Sequence, residues 1–379
     1  MTAGGVTSLR ETANIAISAF ALASNMGCSA EELRSNLRNQ TRALSYSHRF
    51  ADRISSPLGE IPWERLGIDP ALESDELLYQ ACQRVTQILF DEAAELRTVS
   101  NNRIGLFVGT TTSGVSGFFQ LAARAKNSGL SVESLLHPSM QQSFVAKQLA
   151  RAFKIQGPVY TFSSSCAASA QALLMADDAL RMNWIDAAIV IGADVLNPVT
   201  LHGFDCLQLL DPNYCEPFTK ARAGINLSES AVALLLQKSD DSRHTRIGSH
   251  AALSEAHHMT QPSPHGEWMG QAMHRALAKA KVNANELSLI NPHGTGTEAN
   301  DACEMQAIET LGVSLDKVFP SKRFTGHSLG ASGALEIVMS SLMLEDLHER
   351  NPNEKIFALK NSFGFGGANV SLVLERGGL

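Results

Sequence analysis

The chain has 379 residues, of which 44% are hydrophobic and 18% charged, the composition of a globular protein with a large buried core. Its formal net charge of -7 is spread without long acidic or basic runs. That argues against nucleic acid as the main partner, because phosphate neutralisation needs clustered Lys and Arg, while leaving room for a local basic patch.

Residues 15–23 (IAISAFALA), preceded by Arg10 and Glu11, resemble the core of a short leader, but the run is brief and reads better as a buried first strand. Helices are predicted over residues 30–38 and 74–97. Residues 104–108 (IGLFV) then form a continuous apolar run, the signature of a strand buried on both faces. A strand-like VYTF at 159–162 leads into a helix over 167–182, and residues 187–191 (AAIVI) form another buried strand. After the apolar run 231–236 comes the polar stretch 238–245 (KSDDSRHT), the best seam in the chain. Further helices are predicted over 270–280, 302–311 and 333–347, with strands at 287–290, 356–359 and 370–374. Strands alternating with helices of this length predict an α/β fold with a mostly parallel sheet. The seam divides it into similar halves, residues 1–240 and 241–379. No stretch approaches the roughly 20 apolar residues of a membrane helix, so no membrane span is expected.

The six cysteines, Cys28, Cys82, Cys166, Cys206, Cys215 and Cys303, show no C-x-x-C pair and no regular spacing. Neither a zinc site nor a disulfide framework follows, and a reducing, cytoplasmic location is the simpler expectation. Cys166 differs from the others. In VYTFSSSCAASAQALL it follows a strand and a serine-rich turn and opens an alanine-rich helix with small neighbours. Unpaired backbone N–H groups at a helix start favour an anion, which predicts a lowered pKa and a partly ionised sulfur. A buried structural cysteine on a helix is an equally good reading of that segment alone.

Two histidines occupy glycine-rich turns. His293 lies in NPHGTGTEAND after the strand-like LSLI, and His327 lies in KRFTGHSLGASG at a strand-to-helix turn. His48, His244 and His348 have no such setting and read as solvated. A lone histidine is more often structural, but two in such turns, with a cysteine at a helix start, point to a shared cleft. The loop NSFGFGGAN (361–369) could supply an N–H to a developing oxyanion and let Phe365 swing. By itself it also reads as a plain glycine-rich β-turn. No P-loop or Rossmann fingerprint is present, since 364–367 is too short and wrongly placed.

Together these segments resemble the elongating β-ketoacyl-[acyl-carrier-protein] synthases of fatty-acid and polyketide pathways. The motifs SSSCAASAQAL, NPHGTGTEAND, KRFTGHSLGASGALE and NSFGFGGAN, with CEPFTKARAG (215–224), occur in the family's order, and SEAHHMTQPSPHG (254–266) looks like its lead-in to the first histidine half. The resemblance implies a thiolase-like fold, two duplicated βαβ halves packed as a layered α-β-α-β-α sandwich. It implies decarboxylative Claisen condensation, with Cys166 as acyl-carrying nucleophile and His293 and His327 promoting malonyl decarboxylation. Lys322 and Glu336 would support the histidines and Phe365 would gate the site, with Phe204 a second aromatic near the gate. The Cys166 and Phe365 N–H groups would form the oxyanion hole. No metal or other cofactor is implied, because substrates arrive on the phosphopantetheine of acyl carrier protein. The expected assembly is a homodimer or a heterodimer with a similar subunit.

Departures point to a specialised branch. The family's early glycine-rich turn reads ALASNMGCS here, its Gly-Glu-Gly reads Ser228-Glu229-Ser230, Ala368 replaces a threonine, and Gly296 a serine. The competing expectation is a non-catalytic partner subunit of the chain-length-factor kind, against which stands the complete set Cys166, His293, His327 and Lys322. A thiolase would need a second cysteine near the chain end, and none follows Cys303. A cysteine protease lacks a supporting Asn/Asp pattern and has no use for a second histidine.

Overall fold

The computed structural model describes residues 13–128 and 140–377, so Arg10 and Glu11 lie outside them. Nine strands occur among these residues: β1 Ile15–Ser24, β2 Ile104–Gly109, β3 Val159–Phe162, β4 Ala187–Asp194, β5 Ser230–Lys238, β6 Thr245–Ser254, β7 Leu287–Asn291, β8 Ile356–Gly364 and β9 Ala368–Arg376. The longer helices are α1 Ala30–Arg38, α2 Ser74–Glu92, α3 Val115–Ser128, α4 Phe144–Ala152, α5 Ala168–Arg181, α6 Pro198–Cys206, α7 Glu267–Ala280, α8 Glu298–Thr310 and α9 Ser332–Arg350. The segment IAISAFALA is β1, a strand inside the sheet.

The strands hydrogen-bond in the order β3-β2-β4-β5-β1-β6-β9-β8-β7. The sheet is mixed, which corrects the expectation of a mostly parallel one. Only β2–β3, β2–β4 and β7–β8 pair in parallel. Helical crossovers serve those pairs. By contrast, β9 follows β8 through a tight turn and β5 returns through irregular chain after α6, so both run antiparallel.

The two halves repeat. From β2 the order β2-β4-β5-β1 makes one parallel and two antiparallel pairings, and β7-β8-β9-β6 does the same. The repeats join where β1 pairs with β6. Each half-sheet is covered on both faces, which is why its strands read as continuous apolar runs. Val190 and Leu234 face α5 and α9 in the central core, with Leu173, Leu335 and Leu372. Their neighbours Ile189 and Leu235 face α2 and α4 on the outside. In the second half Leu359 and Val373 pack outward against Met273 and Leu277 of α7. The result is five alternating helix and sheet layers, the thiolase-like arrangement.

Helix ends follow local chemistry. Ser29 caps α1 by accepting the Glu32 N–H. The helix predicted over 74–97 stops at Glu92, and a 3-10 turn at Ala94–Thr98 carries Leu96 back onto the outer core. α7 and α8 begin earlier than their apolar spacing predicted, at Glu267 and Glu298. An acidic first residue suits the positive helix start.

Candidate active site

Cys166 and His327 occupy corresponding places in the two repeats. Each is presented by a sharp turn and a short 3-10 segment that runs directly into a central helix, Ser165–Ala167 into α5 and Leu329–Ala331 into α9. Ser165 and Leu329 both take positive φ, 50 and 53, a costly conformation that the surrounding packing enforces. Packing of α5 against α9 brings the two side chains together: His327 Nε2 lies 3.0 Å from Cys166 Sγ.

Cys166 is buried, at 7% exposure. Burial pushes the thiol up to about 12, although the Lys322 charge and the N–H groups of Cys166 and Phe365 pull the other way. This corrects the expectation of a partly ionised sulfur, because loss of water outweighs the helix-start donors in the resting protein. Those two N–H groups, expected at the oxyanion hole, do converge on the sulfur.

The protonation of both imidazoles follows from their partners. Leu329 N–H donates to His327 Nδ1 at 3.2 Å, and the Ser332 hydroxyl lies 2.8 Å from the same nitrogen. A backbone N–H can only donate, so Nδ1 is the acceptor and Nε2 carries the proton. His293 sits in the turn after β7, where its N–H and that of Gly294 donate to Glu304 of α8, each at 2.8 Å. The Lys322 ammonium lies 3.4 Å from His293 Nδ1 and donates to the His293 carbonyl at 2.6 Å. An ammonium also only donates, which places the His293 proton on Nε2. Burial first, and Lys322 second, hold both imidazoles well below their usual range, so both are neutral. The rings stand 5.3 Å apart at 83°.

Behind the rings Lys322 Nζ lies 2.5 Å from Glu336 Oε1, and Lys360 Nζ lies 2.7 Å from Glu336 Oε2. Sequence reasoning missed Lys360, though a lysine inside the apolar run IFALKNSF was a usable signal. It also missed Glu304 and Asp194. Asp194, at the end of β4, accepts from the hydroxyls and N–H groups of the Thr110–Thr112 segment and from Gly330 N–H, which fixes the turn after His327. His48 is exposed as expected, whereas His244 and His348 are half-buried rather than solvated.

A cavity of about 440 Å³ reaches Cys166 from the surface past Phe204, Phe365, Thr295 and Thr297. The Phe204 and Phe365 rings stack at 6.0 Å and 19°. Sγ and one nitrogen of each imidazole lie within 4.8 Å of one another, close enough to share an ion. Each Nε2 carries the ring proton and each Nδ1 faces a hydrogen-bond donor, so an ion there would have to displace one or the other.

Comparison with known proteins assigns the sequence to a family. Residues 65–242 match the N-terminal domain of β-ketoacyl synthases, and residues 244–348 match the C-terminal domain. The chain belongs to the β-ketoacyl synthase family. Among its relatives, a putative polyketide β-ketoacyl synthase of Streptomyces cyaneus is 28% identical, over 73% of this chain and 72% of that one. The 3-oxoacyl-[acyl-carrier-protein] synthase 2 of Mycobacterium bovis is 30% identical over 58% of this chain and 61% of its own length. Among solved structures, a chain of the ketosynthase–chain length factor complex of Xenorhabdus doucetiae superposes with a TM-score of 0.81 at 26% identity. That match covers 98% of this synthase-family chain and 100% of the other.

Proposed function

We propose that this protein is an active β-ketoacyl-[acyl-carrier-protein] synthase, in which Cys166 carries the growing acyl chain and His293 and His327 hold the malonyl thioester. One observation carries the reading: a buried sulfur 3.0 Å from one imidazole Nε2, with a second neutral imidazole beside it. Acyl transfer exchanges one thioester for another. The Cys166 thiol gives its proton to the departing phosphopantetheine sulfur, so the step needs no net ionisation. The sulfur is charged only during attack, when three N–H groups (Cys166, Phe365 and His327 Nε2) surround it.

The malonyl thioester then loses carbon dioxide, and its carbonyl oxygen takes the enolate charge between the two Nε2–H groups. The enolate carbon attacks the acyl carbon, whose oxygen is received by the Cys166 and Phe365 N–H groups. Cys166 leaves as thiolate and takes up one proton from solvent, which balances the carboxylate lost as carbon dioxide. Each donor in so dry a site contributes roughly 3 kcal/mol to lowering the barrier. The chemistry calls for no metal or nucleotide. Phe204 and Phe365 stand where they can gate entry, and Lys322 and Glu336 orient the histidines.

The partners we infer are acyl carrier protein and a second ketosynthase-like subunit, identical or not, in the cytosol. The relatives include fatty-acid and polyketide enzymes, and Ser228, Ser230, Gly296 and Ala368 favour a specialised pathway. The complete Cys166, His293, His327 and Lys322 set favours activity over the chain-length-factor-like alternative. Incubation with labelled acyl-carrier protein separates the two. We expect one acyl mass on the Cys166 peptide, and no adduct under competent conditions would mean the partner role.

A further inference from the structure

Lys360 is the only charged side chain in β8 (IFALKNSFG), and it is 1% exposed. A buried ammonium is costly unless it is paired and hydrogen-bonded. Lys360 meets both conditions. Its Nζ lies 2.7 Å from Glu336 Oε2 and 3.0 Å from Ser362 Oγ, and it donates to the Asn361 carbonyl. Glu336 thus has a cation at each oxygen: Lys322 donates a hydrogen bond to Oε1, and Lys360 lies at ion-pair distance from Oε2 without a hydrogen bond to it. Strand register puts Lys360 beside Asn291, two residues before His293.

We propose that Lys360 is a positioning residue of the condensing site: by clamping the far oxygen of Glu336 it aims Lys322 at His293 Nδ1, and it adds a second fixed positive charge behind both imidazoles. The consequence for catalysis rests on the function proposed above, whereas the geometry does not. With Lys322 alone, the ion pair to Glu336 would be neutral overall. Burial pulls the Lys360 pKa below the usual ammonium range and the Glu336 carboxylate pulls it back; with Lys360 protonated, the trio carries one net positive charge. The other titratable groups around the rings are Cys166, Glu304 under the His293 turn, and Asp194 under the turn after His327. A net cation opposes imidazolium formation, and Lys360 adds to burial and Lys322 in holding both rings neutral. Neutrality matters because protonation at Nδ1 would set that N–H against Leu329 N–H in one ring and against the Lys322 ammonium in the other. The rings would turn and their Nε2–H groups would leave the enolate position.

The test compares the full-length protein with Lys360→Met and Lys360→Gln. The second variant removes the charge but keeps a donor for Asn361 and Ser362, and it carries the test should the first fail to fold. Histidine-ring carbon-13 NMR, followed from about pH 8 down to the acid limit of the fold and assigned with His293→Ala and His327→Ala, should show both rings protonating at a pH about half a unit or more higher in the variants. The acid limb of malonyl-carrier-protein decarboxylation should move to higher pH by the same displacement. Unmoved ring titrations, or an acid limb that stays in place, would overturn the proposal, because a plain structural role predicts both. A wild-type protein that neither acylates nor decarboxylates refutes the condensing function instead, and the ring titrations still decide the role of Lys360.

Discussion

At Cys166, burial and hydrogen bonding pull in opposite directions, and burial wins in the resting protein. The raised thiol pKa has a direct kinetic consequence. Only thiolate reacts with iodoacetamide, so alkylation should rise about tenfold per pH unit and keep rising past pH 9, since the midpoint is pushed up to about 12. A plateau below about pH 8 would show an ionised sulfur and contradict the buried geometry. Substitutions separate the steps. Cys166→Ala should leave the fold intact, because alanine suits this turn, and abolish elongation. His327→Ala removes one enolate donor and should slow malonyl decarboxylation by about 100-fold or more while some Cys166 acylation survives. Equal loss of both steps would assign His327 a different role.

The gate depends on how its turn is strapped down. Gly366 N–H donates to the Met259 carbonyl at 2.8 Å, and Glu255 N–H donates to the Gly367 carbonyl at 3.0 Å. Both glycines have positive φ, 80 and 83, but a Cβ on Gly367 would lie 2.0 Å from the Glu255 carbonyl oxygen while one on Gly366 meets nothing. Gly366→Ala should therefore cost about 1 kcal/mol, and Gly367→Ala clearly more, read as a larger fall in Tm. Equal falls would mean the two loops are not tied at Glu255. The glycine loop and the strand–turn–helix units holding Cys166 and His327 were legible in sequence, because turns of small residues between apolar runs have few other readings. What escaped detection has physical reasons. β6 (TRIGSHAALS) buries an arginine and a threonine and so lacks an apolar run. The sense of β5 and β9 depends on irregular connections that carry no period. The protonation of Cys166 depends on burial by β8, α9 and the Phe365 turn, contacts remote in sequence.

At the scale of the molecule, function requires two repeats to hold still against each other. One tie between them is His250 of β6, whose Nε2 lies 3.1 Å from Asp177 and 3.6 Å from Asp178 of α5. Burial opposes its charge, but bonds to the two carboxylates outweigh that and raise its pKa. A raised folded-state pKa stabilises fully below the unfolded value of about 6.5 and is lost as pH rises through the folded one. His250→Gln should thus lower Tm more near pH 5.5 than near pH 9, and an equal decrement would remove the ion-pair role. β3 ends the sheet with Tyr160 at 44% exposure, an edge suited to pairing with a second subunit. Light scattering at micromolar concentration should therefore report a dimer, and a monomer would contradict it. Function turns on whether the buried sulfur and the paired imidazoles perform condensation. The direct measurement is a single turnover: protein acylated at Cys166, freed of donor, and mixed with malonyl-carrier protein. We predict release of carbon dioxide, return of Cys166 to the free thiol, and a 3-oxoacyl chain two carbons longer on the carrier; an acyl group that stays on Cys166, or is released by hydrolysis without a new carbon–carbon bond, would contradict the account.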